Sequence, residues 1–214
     1  MTEVSPSVLD ADFSKATDWI KVLEKEKADY LHWDIMDGKY VPPETFDAEF
    51  VAEFRKKTKL AFDVHLMVEK PEEYLGEFSL ASDILTFHPE CSEDPESLID
   101  HIHALEVKAG IAINNKVSVK NALPFLDDAD LVLVMSVEAG YGGQNFNSAV
   151  LEKISFLKEQ KESNGYHYKI EVDGGINAEN GKQCTLAGAD ILVAGSFIMK
   201  AKDISSAIKQ LRHF

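Results

Sequence analysis

Eight short runs rich in aliphatic and β-branched residues recur at fairly even intervals along this chain of 214 residues, at Val4 to Val8, Tyr30 to Ile35, Ala61 to Leu66, Ile84 to Phe87, Ala109 to Ile113, Leu131 to Ser136, Lys169 to Val172 and Ile191 to Ala194. Between them, Ser14 to Lys25, Glu49 to Lys56, Glu72 to Leu80, Pro95 to Val107 and Val150 to Glu162 carry helical periodicity. Such alternation specifies parallel strands, because a parallel neighbour is reached only by a crossover long enough to hold a helix. Eight units in this length predict an α/β fold, the closed (β/α)₈ TIM barrel, as a single domain over residues 1–214. Periodicity alone leaves an open doubly wound sheet as the alternative. No linker or break in composition suggests a second domain.

The chain carries 22 Lys and Arg against 37 Asp and Glu, a formal charge of −15, with no basic run of the kind that neutralises nucleic-acid phosphates. Nucleic acid is therefore not an expected partner. An acidic surface also repels any phosphorylated metabolite at long range, so a phosphate site has to be built locally from backbone N–H groups. Cys91 and Cys184 lie far apart and fit no metal-ligand spacing, and no apolar signal segment opens the chain. A reduced, cytoplasmic setting is expected. No apolar stretch approaches bilayer length, so no membrane partner is expected either.

In a barrel of this kind the residues at the C-terminal ends of the strands carry the chemistry. The two-residue alternation of a strand puts His32 and Asp34 on one face of Tyr30 to Ile35, with Leu31, Trp33 and Ile35 on the other. Asp63, His65 and Met67 share a face in the third run, as do Glu171 and Asp173 in the seventh. Taken singly, a strand histidine is most often a hydrogen-bonded core residue and a strand-end Asp a helix cap. Together they are harder to explain, because burying two carboxylates in an apolar barrel costs several kcal/mol each unless a cation or protons compensate. His32, Asp34, His65 and Asp173 form a His₂Asp₂ set suited to one divalent ion, Zn²⁺ first and Fe²⁺ or Mn²⁺ also acceptable.

Met36, Met67 and Met135 fall at the ends of three strands beside this polar set, with plain core filling as the alternative reading. Glycine-rich turns follow the last three strands at Gly140 to Gln144, Gly174-Gly175 and Gly195-Ser196. Glycine allows close backbone approach, and the last loops of such barrels often hold a phosphate.

These residues, in this order, resemble the ribulose-phosphate 3-epimerase family. The likeness is carried by Ser5-Pro6-Ser7 with Asp10-Ala11-Asp12-Phe13, His32-Trp33-Asp34-Ile35-Met36-Asp37-Gly38, Asp63-Val64-His65-Leu66-Met67-Val68, Met135-Ser136-Val137, Gly142-Gly143-Gln144, Glu171-Val172-Asp173-Gly174-Gly175 and Ala194-Gly195-Ser196. The resemblance implies a barrel of the ribulose-phosphate-binding type, an isomerase of carbohydrate metabolism in the pentose phosphate pathway, and a sugar phosphate as its small-molecule partner. His32, Asp34, His65 and Asp173 look like the family's metal ligands, and Asp34 and Asp173 like its acid/base pair. By the same resemblance Ser7 contacts substrate oxygens, and Met36, Met67 and Met135 wall off the intermediate. Gly142, Gly143, Gly175, Gly195 and Ser196 look like the phosphate cradle, with Gly174 and His65 also among the substrate-contacting positions.

Epimerisation at carbon 3 removes a proton from one face and returns one to the other, so two groups must flank a planar enediolate. A free Asp has a pKa near ~4, so at least one carboxyl must be raised to carry protons near neutrality. D-ribulose 5-phosphate is the expected substrate. Pro43 stands where the family usually has Asn, Asp47 where it often has Gly, and Ala139 where a Pro is usual. These departures leave open a sister enzyme acting on D-allulose 6-phosphate. A decarboxylase or synthase on the same barrel would need a lysine in a D-x-K-x-x-D pattern, which Asp34-Ile35-Met36-Asp37 lacks. From another class, a non-catalytic sugar-phosphate-binding barrel has little reason to keep all four ligands. A homo-oligomer is the expected assembly.

Overall fold

The computed structural model describes residues 2–214. Its eight strands are β1 (Glu3–Pro6), β2 (Tyr30–Met36), β3 (Ala61–Met67), β4 (Ile84–Phe87), β5 (Lys108–Ile113), β6 (Leu131–Met135), β7 (Lys169–Asp173) and β8 (Ile191–Ala194). They form one parallel sheet in the order β1-β8-β7-β6-β5-β4-β3-β2. The seam between β1 and β2 is drawn together by Asp29 N–H to Val4 C=O at 3.0 Å and Val8 N–H to His32 C=O at 3.1 Å, around a bridge between Ser7 and His32. This decides for the barrel over the open sheet. β1 stops at Pro6 rather than running to Val8: Ser7 still donates its N–H to Ala194 C=O at 3.2 Å, but Ser7 and Val8 then turn to pair with His32 of β2.

The crossovers carry α1 (Ala16–Lys25), α2 (Ala48–Arg55), α3 (Leu75–Phe78), α4 (Pro95–Ala104), α5 (Val150–Asn164), α6 (Ala178–Ala187), α7 (Ser196–Met199) and α8 (Ile204–Arg212). Polar side chains start several of them by accepting an orphan N–H: Asp47 from Phe50 at 2.8 Å, Asp94 from Ser97 at 3.1 Å and Asp203 from Ser206 at 3.1 Å. The helix expected over Glu72 to Leu80 is instead a 3₁₀ turn at Pro71–Glu73 followed by the single turn of α3. Gly76 inside it weakens helical preference. The helix expected to reach Val107 ends at Ala104, where Glu106 adopts a φ of 61° to turn the chain into β5. After β5 the crossover is only a 3₁₀ segment, Val119–Phe125, with Pro124 inside it, and proline cannot continue an α-helix.

Alternation along the strands sorts two kinds of interior. Leu31, Trp33, Ile35, Phe62, Val64 and Leu66 face outward into the main core beneath the helices, where Trp19 of α1 stacks on Phe54 of α2 at 5.8 Å between ring centroids. Inside the barrel, Ile84, Ala112, Leu131, Leu133, Met135 and Ile191 form a small apolar cluster. Much of the barrel interior is polar: Ser5, His32, Asp34, Asp63, His65, Thr86 and Glu171 are all buried. No helix among the described residues is long and apolar enough to cross a membrane.

Candidate active site

Strands β2 and β3 run in register, so that His32 lies opposite Asp63, Asp34 opposite His65, and Met36 opposite Met67. Two neighbouring strands thus present histidine and aspartate in crossed pairs, with a methionine above each. Across the barrel, β6 and β7 place Met135 opposite Asp173 and Leu133 opposite Glu171. The result is a polar shaft that ends in a pocket at the C-terminal rim, where Asp34 and Asp173 both line the wall.

One ligand atom from each of His32, Asp34, His65 and Asp173 lies within 4.8 Å of the others. His32 donates its Nδ1–H to Asp63 Oδ2 at 2.6 Å, which turns Nε2 toward Asp34 Oδ1 at 3.5 Å. His65 is held from behind through its Nε2, 2.9 Å from His88 Nε2, and its Nδ1 faces Asp34 Oδ1 at 3.7 Å. His32 Nε2 and His65 Nδ1 are fully buried and have no hydrogen-bond partner. Two orphaned imidazole nitrogens facing the Asp34 carboxylate, with an Asp173 oxygen within 4.8 Å, are the donor set that a divalent cation completes, and buried polar atoms are not left unpaired without such a reason. The residues present therefore fit a metal ion.

Electrostatics separates the carboxyl groups. Burial works against the charge of Asp34, but the imidazoles of His32 and His65 hold its carboxyl well below the usual range. Burial and the nearby Asp34 charge push Asp173 the other way, up to about 7. Below them, burial and the Asp63 charge hold Glu171 well above the ordinary carboxylate value. Burial opposes charge on His32 as well, yet Asp63 and Asp34 raise its imidazole well above the usual value. Burial lowers His65 to about 4. Ser7 donates its hydroxyl to Asp34 Oδ2 at 2.7 Å, fixing that carboxylate's orientation.

The remaining wall comes from loops. Ser7, Met36, Met67, Met135, Gly142, Gly143, Gly174, Gly175, Gly195 and Ser196 all line the same pocket. Gly174 and Gly175 adopt φ values of 115° and 61°, and a Cβ on Gly175 would sit 2.5 Å from Gln144 O and 2.8 Å from Phe146 N. The loop after β7 therefore packs backbone to backbone on the loop after β6. Gln144 staples that second loop by donating to the carbonyls of Glu138 and Tyr141 at 2.7 and 2.9 Å. Two acidic residues of the wall are compensated locally, Asp10 by Lys200 at 2.9 Å and Glu138 by Lys116 at 2.6 Å.

The sequence of this chain matches the model of the ribulose-phosphate 3 epimerase family over residues 3–199. The chain belongs to this family. It is 41% identical over 214 residues to the ribulose-phosphate 3-epimerase of Bacillus subtilis, covering 99% of both chains. To the ribulose-phosphate 3-epimerase of Methanocaldococcus jannaschii it is 38% identical, covering 99% of this chain and 90% of that one. The chloroplastic ribulose-5-phosphate-3-epimerase of Arabidopsis thaliana is 39% identical, over 98% of this chain and 75% of its own length. Family membership makes the chain an enzyme of the isomerase class. Among solved structures, 3-hexulose-6-phosphate synthase from Salmonella typhimurium superposes with a TM-score of 0.71 at 14% identity, covering 98% of this chain and 96% of that one, a likeness of fold alone.

His32 and His65 are fully buried below the pocket rather than on its wall, so His65 meets the site through its Nδ1 edge toward Asp34. Of the three loop departures, Asp47 caps α2, Pro43 accepts the Gly38 N–H at 3.0 Å, and Ala139 packs behind the cluster of Met36, Val41 and Met67. None of the three lines the pocket. Sequence reasoning gave no role to Asp63, Glu171, His88 or Asp10. A signal for His88 was available: it continues the inward face of β4 two residues beyond Thr86.

Proposed function

We propose that the chain interconverts D-ribulose 5-phosphate and D-xylulose 5-phosphate by proton transfer at carbon 3, with Asp34 and Asp173 as the acid/base pair. The observation that carries this reading is the meeting of His32, Asp34, His65 and Asp173 around two orphaned imidazole nitrogens, in a chain of an epimerase family. His32, Asp34, His65 and Asp173 would hold one divalent ion, Zn²⁺ first among the candidates. When bound, the ion supplies Lewis-acid stabilisation to the oxygens that become negative as the C–H bond breaks.

The chain's own residues do the rest. Asp34, held ionised by its imidazole neighbours and oriented by Ser7, is the base in one direction. Asp173, on the other wall of the pocket, returns a proton to the other face. In the reverse direction the roles exchange. Met36, Met67 and Met135 form the apolar, polarisable wall over the planar intermediate and keep water from it. Backbone N–H groups of Gly142, Gly143, Gly175, Gly195 and Ser196 hold the phosphate, a local anion site that the acidic surface does not otherwise provide. A reducing, cytoplasmic setting in pentose phosphate metabolism belongs to this reading, in keeping with the unpaired Cys91 and Cys184.

The deciding experiment incubates zinc-loaded protein with D-ribulose 5-phosphate in D₂O under proton NMR. Xylulose 5-phosphate carrying deuterium at carbon 3 is the expected product. Turnover of D-allulose 6-phosphate instead would move the substrate to six carbons. Binding of both sugars with no exchange at carbon 3 would make the chain a binding barrel.

A further inference from the structure

The two imidazoles of the site are held from behind in different ways. His32 rests directly on a carboxylate, Asp63. His65 rests on a second imidazole, His88, itself fully buried, with the two rings 5.0 Å apart between centroids. Ring nitrogens 2.9 Å apart share one proton, and the surroundings decide which ring supplies it.

Suppose His88 were the donor. A neutral His65 would then accept at Nε2 and carry its own proton on Nδ1, the atom that faces Asp34 and must offer a lone pair to a metal. The other arrangement has His65 Nε2–H donate to His88 Nε2, which leaves Nδ1 of His65 free but requires His88 to carry its proton on Nδ1 and to find an acceptor there. Two groups lie near that atom: Asn114 Nδ2 at 3.3 Å and, just beyond hydrogen-bond distance, Glu90 Oε1 at 3.6 Å. The amide nitrogen cannot accept, and it is already committed to Tyr40 Oη at 2.5 Å and Glu90 Oε1 at 2.7 Å. Tyr40 also donates to Glu90 Oε1, at 3.1 Å. Two donors from two other loops therefore pin the Glu90 carboxylate beside His88.

We propose that Glu90, acting through His88, fixes the tautomer of His65, with protons ordered from His65 Nε2–H to His88 and from His88 Nδ1–H to Glu90, so that the His65 Nδ1 lone pair points into the metal site. Both imidazoles of the site then end on a carboxylate, His32 on Asp63 directly and His65 on Glu90 through one intervening ring. His88 and Glu90 are positioning residues, and neither lines the substrate pocket. The proposal rests on the metal reading above.

The test measures zinc affinity by chelator competition for the unsubstituted protein and for His88→Leu, His88→Gln and Glu90→Leu, together with ¹⁵N NMR of His65 in the zinc-loaded unsubstituted protein. His88→Leu and Glu90→Leu should weaken zinc binding by about 10–100-fold, the usual cost of losing the partner behind a metal-bound histidine. His88→Gln, whose amide oxygen accepts from His65 Nε2–H without help from Glu90, should recover most of that loss. The NMR spectrum should show His65 bound through Nδ1 and protonated on Nε2. Zinc affinity unchanged in both leucine variants, or a His65 protonated on Nδ1, overturns the relay while leaving the metal reading intact. An unsubstituted protein that takes up no zinc overturns both. If His88→Leu fails to fold, the variant at the exposed Glu90 and the NMR measurement decide.

Discussion

Asp34 and Asp173 face one pocket from opposite sides of the barrel, and their surroundings push them apart: imidazoles hold one ionised, while burial and a neighbouring charge hold the other near neutrality. Asp34→Asn and Asp173→Asn should each lower turnover by about 10²–10⁴-fold, the usual range for a positioned acid or base, and should lower bound zinc as well. Normal turnover in either variant would overturn the two-carboxylate mechanism. The raised value of Asp173 also has a thermodynamic sign. Between its ordinary value near ~4 and about 7, the metal-free folded state holds a proton that the unfolded chain has released, so stability falls as pH rises through that window. His65, lowered to about 4, has the opposite sign, losing stability as pH falls below the ordinary histidine value, but it is common to both proteins. Melting curves of metal-free Asp173→Asn and unsubstituted protein should therefore diverge as pH rises from 5 to 8, the variant gaining. Parallel curves would place the Asp173 titration outside this range.

At the scale of elements, the site is made by strand ends and by the loops that leave them. Crossed His and Asp pairs on β2 and β3 follow from register, since a slip of one residue would turn all of them into the outer core. The loops after β6 and β7 depend on backbone contact instead. Gly175→Ala would bring a methyl group to 2.5 Å from Gln144 O, at a φ that side chains rarely adopt. The variant should raise KM for the phosphorylated ketose while changing kcat little, because the cradle moves and the carboxylates on β2 and β7 do not. A fall in kcat with KM unchanged would show that this loop positions the acid/base pair rather than the phosphate.

For the whole molecule, the polar shaft is a liability unless a cation occupies its end, because several carboxyl groups and two orphaned imidazole nitrogens are buried in the barrel. Removing metal with a chelator should therefore lower the melting temperature. A ligand at a hundred times its Kd contributes about 2.7 kcal/mol, which for a chain of this size corresponds to roughly 5–11 °C. An unchanged melting temperature at saturating zinc would count against a structural share for the ion. The eight alternating units were legible in the sequence, though not their closure, and so were the inward faces of β2, β3 and β7, because strand periodicity is a local property of the chain. The family followed from seven motifs in order, and the Gly-rich turns pointed to the rim of the pocket. Helix limits were less legible: Gly76 in the short α3 and Pro124 in the 3₁₀ segment after β5 were signals that apolar periodicity alone overran. What no pattern in the sequence could supply was which groups stand behind the ligands. Asp63 behind His32 and His88 with Glu90 behind His65 come from different strands and loops. Periodicity fixes the face on which a side chain lies, while barrel closure and shear fix which faces meet, so those partnerships exist only in the tertiary structure.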